Sequence, residues 1–305
     1  MNWREVLQGG EPEAVKSFTT LAGLDWRKVL LEGEQLLSGK VSGSAAAEAR
    51  ALLFSMLAWN LSDYALRRNE PAEEEKVQEY LALVKRRREG EPLQYITGIA
   101  PFFGYEFKSD RRALIPRFDT EILVEEALQR IRPGMRILDI CTGSGCVPIA
   151  LAKTLEERRI SSIDIEASDI SEDALALARE NAERLGASVL FFRSDLLLSA
   201  EGRYDLITAN PPYITEEEMR SLDHEVYDYE PRLALFGGPD GLTFYRRIVS
   251  ETQRHLSPGG WLLMEIGCKQ AAAVEELCAF EGFTEIKTVK DLAGRDRVVT
   301  ARRRN

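Results

Sequence analysis

Asn210-Pro211-Pro212-Tyr213 is the stretch of this chain whose residue types and spacing point most directly to chemistry. Each proline biases its predecessor toward extended backbone and removes an N–H, so the loop is stiff and its carbonyls stay unpaired. The Asn210 carboxamide and the Pro211 carbonyl are then two acceptors fixed close together, suited to holding a planar –NH2 group. Tyr213 can stack its ring over the same group. A nitrogen of this kind, amide or exocyclic amine, has a delocalised lone pair and is a poor nucleophile. No carboxylate or histidine is basic enough to deprotonate it at neutral pH. Rate must come from orientation, exclusion of water and acceptors that stabilise developing positive charge. Asn-Pro alone is a common turn signal, but the full tetrapeptide after the apolar run Asp205-Leu206-Ile207-Thr208-Ala209 is far more specific.

A second constellation, Asp139-Ile140-Cys141-Thr142-Gly143-Ser144-Gly145, follows another apolar run and opens into a helix. Its two glycines let the backbone turn sharply and approach a ligand with no Cβ in the way. A dinucleotide fingerprint wants a third small residue where the helix packs on the strand, and Pro148 there weakens that reading. Asp169, 24 positions beyond Gly145, can accept from both ribose hydroxyls of a nucleoside. Ser194-Asp195-Leu196 places a carboxylate near an adenine amino group and an apolar side chain near its ring. One acid before the glycine turn and one after each of the next two strands is the layout expected of an S-adenosyl-L-methionine site. That molecule carries a sulfonium and an amino group but no phosphate, so it needs carboxylates rather than a helix N-terminus. In-line attack on its methyl by the nitrogen held at residues 210–213 would leave S-adenosyl-L-homocysteine, with no metal required.

The elements that must position these turns alternate in type. Strands are expected at 136–140, 163–168, 189–192, 204–209, 261–266, 283–289 and 297–301, with helices at 147–155 and 172–185. Such alternation implies an α/β fold, a parallel sheet with helices on both faces and ligands at the strands' carboxyl ends. The first 90 or so residues read as helical instead. In the clearest helix, Pro71 suits the first position and Lys85, Arg86, Arg87 and Arg88 complement the C-terminal dipole. Between the two regions, residues 92–117 are rich in aromatic and β-branched residues punctuated by Gly and Pro, and read as a hairpin linker.

At these residues the chain resembles class I S-adenosylmethionine-dependent methyltransferases. Asn210–Tyr213 resembles the N-P-P-Y signature shared by N6-adenine and N5-glutamine methyltransferases. Gly90-Glu91-Pro92-Leu93-Gln94-Tyr95-Ile96-Thr97-Gly98, Ile115-Pro116-Arg117-Phe118-Asp119-Thr120-Glu121 and Tyr229-Glu230-Pro231-Arg232-Leu233-Ala234-Leu235 are similar to segments of the peptide chain release factor glutamine methyltransferases, the PrmC/HemK family. The resemblance implies a mostly parallel seven-stranded, Rossmann-like sheet behind a small helical domain. It divides the chain into an extension (1–24), a helical substrate-recognition domain (25–91), the linker (92–117) and the methyltransferase domain (118–305). Carried over, Asp139, Cys141, Thr142, Gly143, Ser144 and Gly145 hold the methionine part, Asp169 the ribose, and Asp195 and Leu196 the adenine. Asn210 borders the cofactor and, with Pro211, Pro212 and Tyr213, receives the substrate. The implied substrate is the glutamine of the Gly-Gly-Gln loop of class 1 release factors. Two positions depart from the family: Cys141 stands where Gly is usual, tolerable if its φ is negative, and Phe118 where Pro is usual, near the peptide entrance.

Composition narrows the partners. With 40 Lys+Arg against 50 Asp+Glu the net charge is −10, which argues against nucleic acid and hence against the N6-adenine alternative. Four cysteines without a C-x-x-C pair and two histidines offer little for zinc, a disulfide scaffold or a histidine triad. His224 is a possible substrate contact, and Glu265 is expected to line the active-site side. No apolar run reaches the roughly 20 residues of a membrane span. The expectation is a cytoplasmic monomer.

Overall fold

The described residues divide into two compact units, with the boundary between Gly98 and Ile99. The computed structural model describes residues 23–305, so the extension expected over 1–24 lies outside the described residues except for its last two.

The first unit contains α1 (Trp26–Leu37), α2 (Ala45–Leu57), α3 (Leu61–Arg67), α4 (Glu74–Arg88) and α5 (Leu93–Thr97). Side-chain caps begin three of them: Asp25 accepts from the Lys28 amide at 2.8 Å, Ser44 from Ala47 at 3.3 Å, and Asn60 with Asp63 forms a capping box. Gly33 lets α1 and α4 close, since a Cβ there would lie 1.9 Å from the Tyr80 hydroxyl oxygen. That hydroxyl donates to the Ala49 carbonyl at 3.1 Å, tying both helices to α2. Helix α4 starts at Glu74 and not at Pro71 because Pro71 bridges Asp25 and Ala72 N–H donates to Leu24 at 2.7 Å, holding those residues extended. Likewise Leu93–Thr97 is a helical turn closed by Gly98 (φ 74°), where a hairpin was expected to begin. Two residues of the basic run at the end of α4 are held by acids: Arg86 grips Glu91 with two 2.8 Å hydrogen bonds, and Arg87 is buried against Glu48 of α2.

The second unit opens with an antiparallel hairpin, β1 (Ile99–Phe102) and β2 (Tyr105–Lys108). A 3₁₀ turn (Phe118–Thr120) leads into α6 (Glu121–Arg130). Then follow β3 (Arg136–Ile140), α7 (Cys146–Glu157), β4 (Asp164–Asp169), α8 (Glu172–Leu185), β5 (Leu190–Arg193) and β6 (Tyr204–Ala209). Short helices α9 (Glu216–Met219) and α10 (His224–Tyr229) precede α11 (Thr243–His255), β7 (Leu256–Glu265), α12 (Ala271–Phe280), β8 (Thr284–Lys290) and β9 (Asp296–Arg302). The strands form one seven-stranded sheet in the order β5-β4-β3-β6-β7-β9-β8. Neighbours from β5 through β7 are parallel, and β9 runs antiparallel to both β7 and β8. This is the mostly parallel seven-stranded α/β sheet that was expected, with apolar clusters on either side of it. Its register does the positioning. Ile140 at the end of β3 pairs with Ala209 at the end of β6 and with Ser168 near the end of β4. The glycine turn, Asp169 and the Asn-Pro-Pro-Tyr loop therefore emerge side by side, at the switch point where such sheets bind ligands.

Candidate active site

A cavity of about 350 Å³ lies at these strand ends. Of the expected residues, Asp139, Cys141, Thr142, Gly143, Ser144, Asp169, Asp195, Leu196, Asn210 and Pro212 line it. Gly145, Pro211 and Tyr213 do not.

The glycine turn is locked from several sides. Gly143 N–H donates to Asp169 Oδ2 at 2.9 Å, and a Cβ on Gly143 would meet nothing nearer than 4.0 Å, so the backbone borders open space. Gly145 (φ 79°) caps α7, and a Cβ there would sit 3.0 Å from both Ala178 and Ile149, so the glycine lets α7 and α8 approach. Asn181 on α8, fully buried, donates to the Ser144 carbonyl at 3.0 Å and bridges both backbone groups of Lys108. Cys141 has φ 56°, the left-handed region, so the condition under which a side chain there is unstrained is not met. Leu196 shares this backbone state at φ 51°.

Asp139 is fully buried and accepts from the Thr208 hydroxyl at 2.6 Å. Burial pushes its carboxyl up to about 7, partly offset by that hydrogen bond. Asp169 is likewise raised by burial, offset by the amides of Ser171 and Gly143. Asp195 accepts from Arg247 of α11 at 3.0 Å. Burial raises the thiols of Cys141 and Cys146, the latter to about 12, which removes them from nucleophilic chemistry.

In the Asn-Pro-Pro-Tyr loop, Asn210 Nδ2 donates to the Thr120 hydroxyl at 3.3 Å, which leaves Oδ1 free to accept. Tyr213 turns its hydroxyl toward Glu265 at 3.5 Å, and its carbonyl accepts from Gln270 at 3.0 Å. It does not line the cavity, and its hydroxyl is engaged with Glu265. Glu265 is also off the wall, buried beneath Tyr213, and burial lifts its carboxyl to about 7. His224 is exposed and pairs with Asp228 at 2.8 Å, and Phe118 is exposed and does not border the cavity. The segment 112–120 supplies much of the wall, and Glu230 fixes it by accepting from Ile115 N–H at 3.2 Å and from Arg117.

The donor set suits a cation bearing an amine and a nucleoside: three carboxylates, Asp139, Asp169 and Asp195, and no lysine on the wall to hold a phosphate. Residues 28–98 match the PrmC N-terminal domain, and residues 117–226 match the methyltransferase small domain. The chain is 42% identical over 277 residues to the release factor glutamine methyltransferase of Geobacter sulfurreducens, covering 90% of this chain and 96% of that one. This chain belongs to the release factor glutamine methyltransferase family. The corresponding protein of Thermodesulfovibrio yellowstonii is 43% identical over 224 residues, 72% of this chain and 78% of that one. A solved protein-(glutamine-N5) methyltransferase from Alicyclobacillus acidocaldarius is 32% identical, with a TM-score of 0.39 over 65% of this chain and 100% of that one. As a member of this methyltransferase family, the chain uses S-adenosyl-L-methionine as its cofactor.

Sequence reasoning missed Asn181, Thr120, Arg247 and Glu230 as supports of the site. Glu230 and Thr120 lie within the stretches 229–235 and 115–121 that carry the family resemblance, but nothing local marks Asn181 or Arg247.

Proposed function

We propose that this chain methylates the side-chain amide nitrogen of the glutamine in the Gly-Gly-Gln motif of class 1 peptide chain release factors. The observation that carries the reading is Asn210: with Nδ2 committed to Thr120, its Oδ1 is left to accept on the wall of a carboxylate-lined cavity, and the Pro211 carbonyl next to it in the chain would be the second acceptor. In that cavity Asp139 and the 141–145 turn would hold the methionine part, Asp169 the ribose, and Asp195 with Leu196 the adenine. The bound cofactor supplies an electrophilic methyl group on a sulfonium. Asn210 Oδ1 and the Pro211 carbonyl accept the two amide N–H groups of the glutamine, orient its nitrogen and offset positive charge as the N–C bond forms. One amide proton then leaves to solvent. Tyr213, anchored by Gln270 and Glu265, keeps the loop in place.

The helical unit would recognise the release factor through shape and apolar contacts, since Arg86 and Arg87 of its basic run are held by Glu91 and Glu48. Net charge −10 favours a protein over a nucleic-acid substrate. Among the described residues no helix is long and apolar enough to cross a membrane, and a substrate of the translation machinery fits a cytoplasmic enzyme.

The test is incubation with a purified class 1 release factor and methyl-labelled S-adenosyl-L-methionine, followed by mass spectrometry of the peptides. Label on the Gly-Gly-Gln glutamine is the expected outcome. Label appearing instead on adenine of added nucleic acid would overturn the assignment.

A further inference from the structure

We propose that Glu265 is a positioning residue: by taking the hydroxyl protons of Thr120 and Tyr213, it decides which end of the Asn210 carboxamide faces the cavity. The inference rests on the acceptor role of Asn210 proposed above.

The argument is one of hydrogen-bond polarity. Tyr213 donates to Glu265 Oε1 at 3.5 Å, and the Thr120 hydroxyl faces the same carboxylate, whose Oε2 is buried without a partner of its own. Glu265 is 1% exposed and Thr120 2%, so water does not compete for these groups. An ionised carboxylate only accepts, so the Thr120 proton points at Glu265 and its lone pairs point at Asn210. Asn210 can then satisfy Thr120 only by donating, as it does through Nδ2 at 3.3 Å. A carboxamide held by its nitrogen presents its oxygen to the cavity.

Protonating Glu265 removes that constraint. The carboxyl becomes a donor to Thr120, the hydroxyl proton is free to turn to Asn210, and the carboxamide can invert. The cavity would then meet two N–H donors where a substrate amide needs acceptors. The groups facing Glu265 are Thr120, Tyr213, Arg297 of β9 and Asp119 of the 3₁₀ turn, with the Tyr245 hydroxyl donating to its main-chain carbonyl at 2.9 Å. Burial outweighs the Arg297 charge, Asp119 adds to burial, and the carboxyl is lifted to about 7. The polarity of the site therefore switches close to neutral pH.

The experiment compares steady-state turnover of wild type, Glu265→Gln and Thr120→Val across about pH 6 to pH 8, where a carboxyl of pKa about 7 titrates. Wild-type kcat is expected to rise about tenfold across that range. Glu265→Gln and Thr120→Val should give flat profiles at least about tenfold below wild type at the alkaline end, with KM for S-adenosyl-L-methionine unchanged. Thr120→Ser, which keeps the hydroxyl, should keep the rise. Should Glu265→Gln fail to fold, Thr120→Val decides. A readout without turnover is infrared titration of cofactor-free protein: a carboxyl band titrating near 7 and retained in Asp139→Asn is expected. Wild-type kcat and pH profile in Glu265→Gln or Thr120→Val, or no such band, would overturn the proposal. Asn210→Ala in the same assay separates the two readings. If it turns over like wild type, the acceptor role fails; if it is inactive while Glu265→Gln behaves as wild type, only the positioning role fails.

Discussion

Gly237 lies so close beneath Tyr213 that a Cβ built on it would sit 2.6 Å from Tyr213 Cα and 2.8 Å from the Pro212 carbonyl oxygen. The contact is backbone against backbone, so no rotamer change relieves it. Gly237 N–H also donates to Ile214 at 2.9 Å, and Ile214 N–H to Leu235 at 3.0 Å, which clamps the segment after the loop. Gly237→Ala must therefore displace the loop that carries Asn210. A displacement on the order of 1 Å at a reacting group costs about 10²-fold in rate. Turnover should fall by that factor while calorimetry shows unchanged cofactor affinity; wild-type turnover would show that the loop tolerates the shift.

Asn210 itself is expected to matter through charge stabilisation and orientation. Truncation to Ala removes one of two acceptors and should lower kcat by about 10²–10³, the range for losing one preorganised hydrogen-bonding group. Thermal stability should change little, because among the described residues the side chain gives up a single, long hydrogen bond, the 3.3 Å one to Thr120. Single-turnover kinetics with the cofactor pre-bound would isolate the chemical step. Retained single-turnover rate would place the rate enhancement elsewhere.

Local chemistry was legible in the sequence, and long-range support was not. The glycine turn and the Asn-Pro-Pro-Tyr loop could be read because each is a short segment at the end of an apolar strand. The sheet followed from alternation, and the structure puts both segments on registered neighbours, Ile140 against Ala209. What could not be read comes from partners far away in sequence: Asn210 with Thr120, Glu230 with Arg117 and Asp195 with Arg247 are separated by 90, 113 and 52 positions. The start of α4 was misplaced for the same reason, since Pro71 is held extended by Asp25 and Leu24. The hydroxyl partner of Tyr213, Glu265, lies 52 positions away at the end of another strand and could not be read from the loop.

Cys141 offers a stability test of backbone strain. At φ 56° an L-residue costs roughly 1–2 kcal/mol that glycine would not. Cys141→Gly removes that cost but loses side-chain packing and about 0.5–1 kcal/mol of unfolded-state entropy, so it should be close to neutral. Cys141→Val places a β-branched side chain in the same region and should lose about 1–3 kcal/mol. For a unit of this size that is about 2–4 °C in Tm per kcal/mol. If the Val variant is as stable as the Gly variant, the turn relaxes to negative φ and the strain argument fails.

Asp139 links cofactor binding to pH. Its folded-state pKa is raised to about 7 from an ordinary 3.8, so without cofactor the folded protein holds a proton that the unfolded chain releases. The associated stability is fully present below 3.8 and is lost as pH rises through about 7. A bound cation beside Asp139 favours the ionised form, which reverses the preference and expels the proton. Cofactor affinity should thus rise with pH, by up to about tenfold per unit below 7, and level off above it. Glu265 titrates in the same range but does not border the cavity, so it contributes to the stability profile and not to this slope. Calorimetry in two buffers of different ionisation enthalpy should report release approaching one proton at about pH 6 and almost none at about pH 8. Asp139→Asn should bind more weakly and with no pH slope. A slope that survives in that variant would move the linked proton to Asp169, the other cavity carboxylate raised by burial.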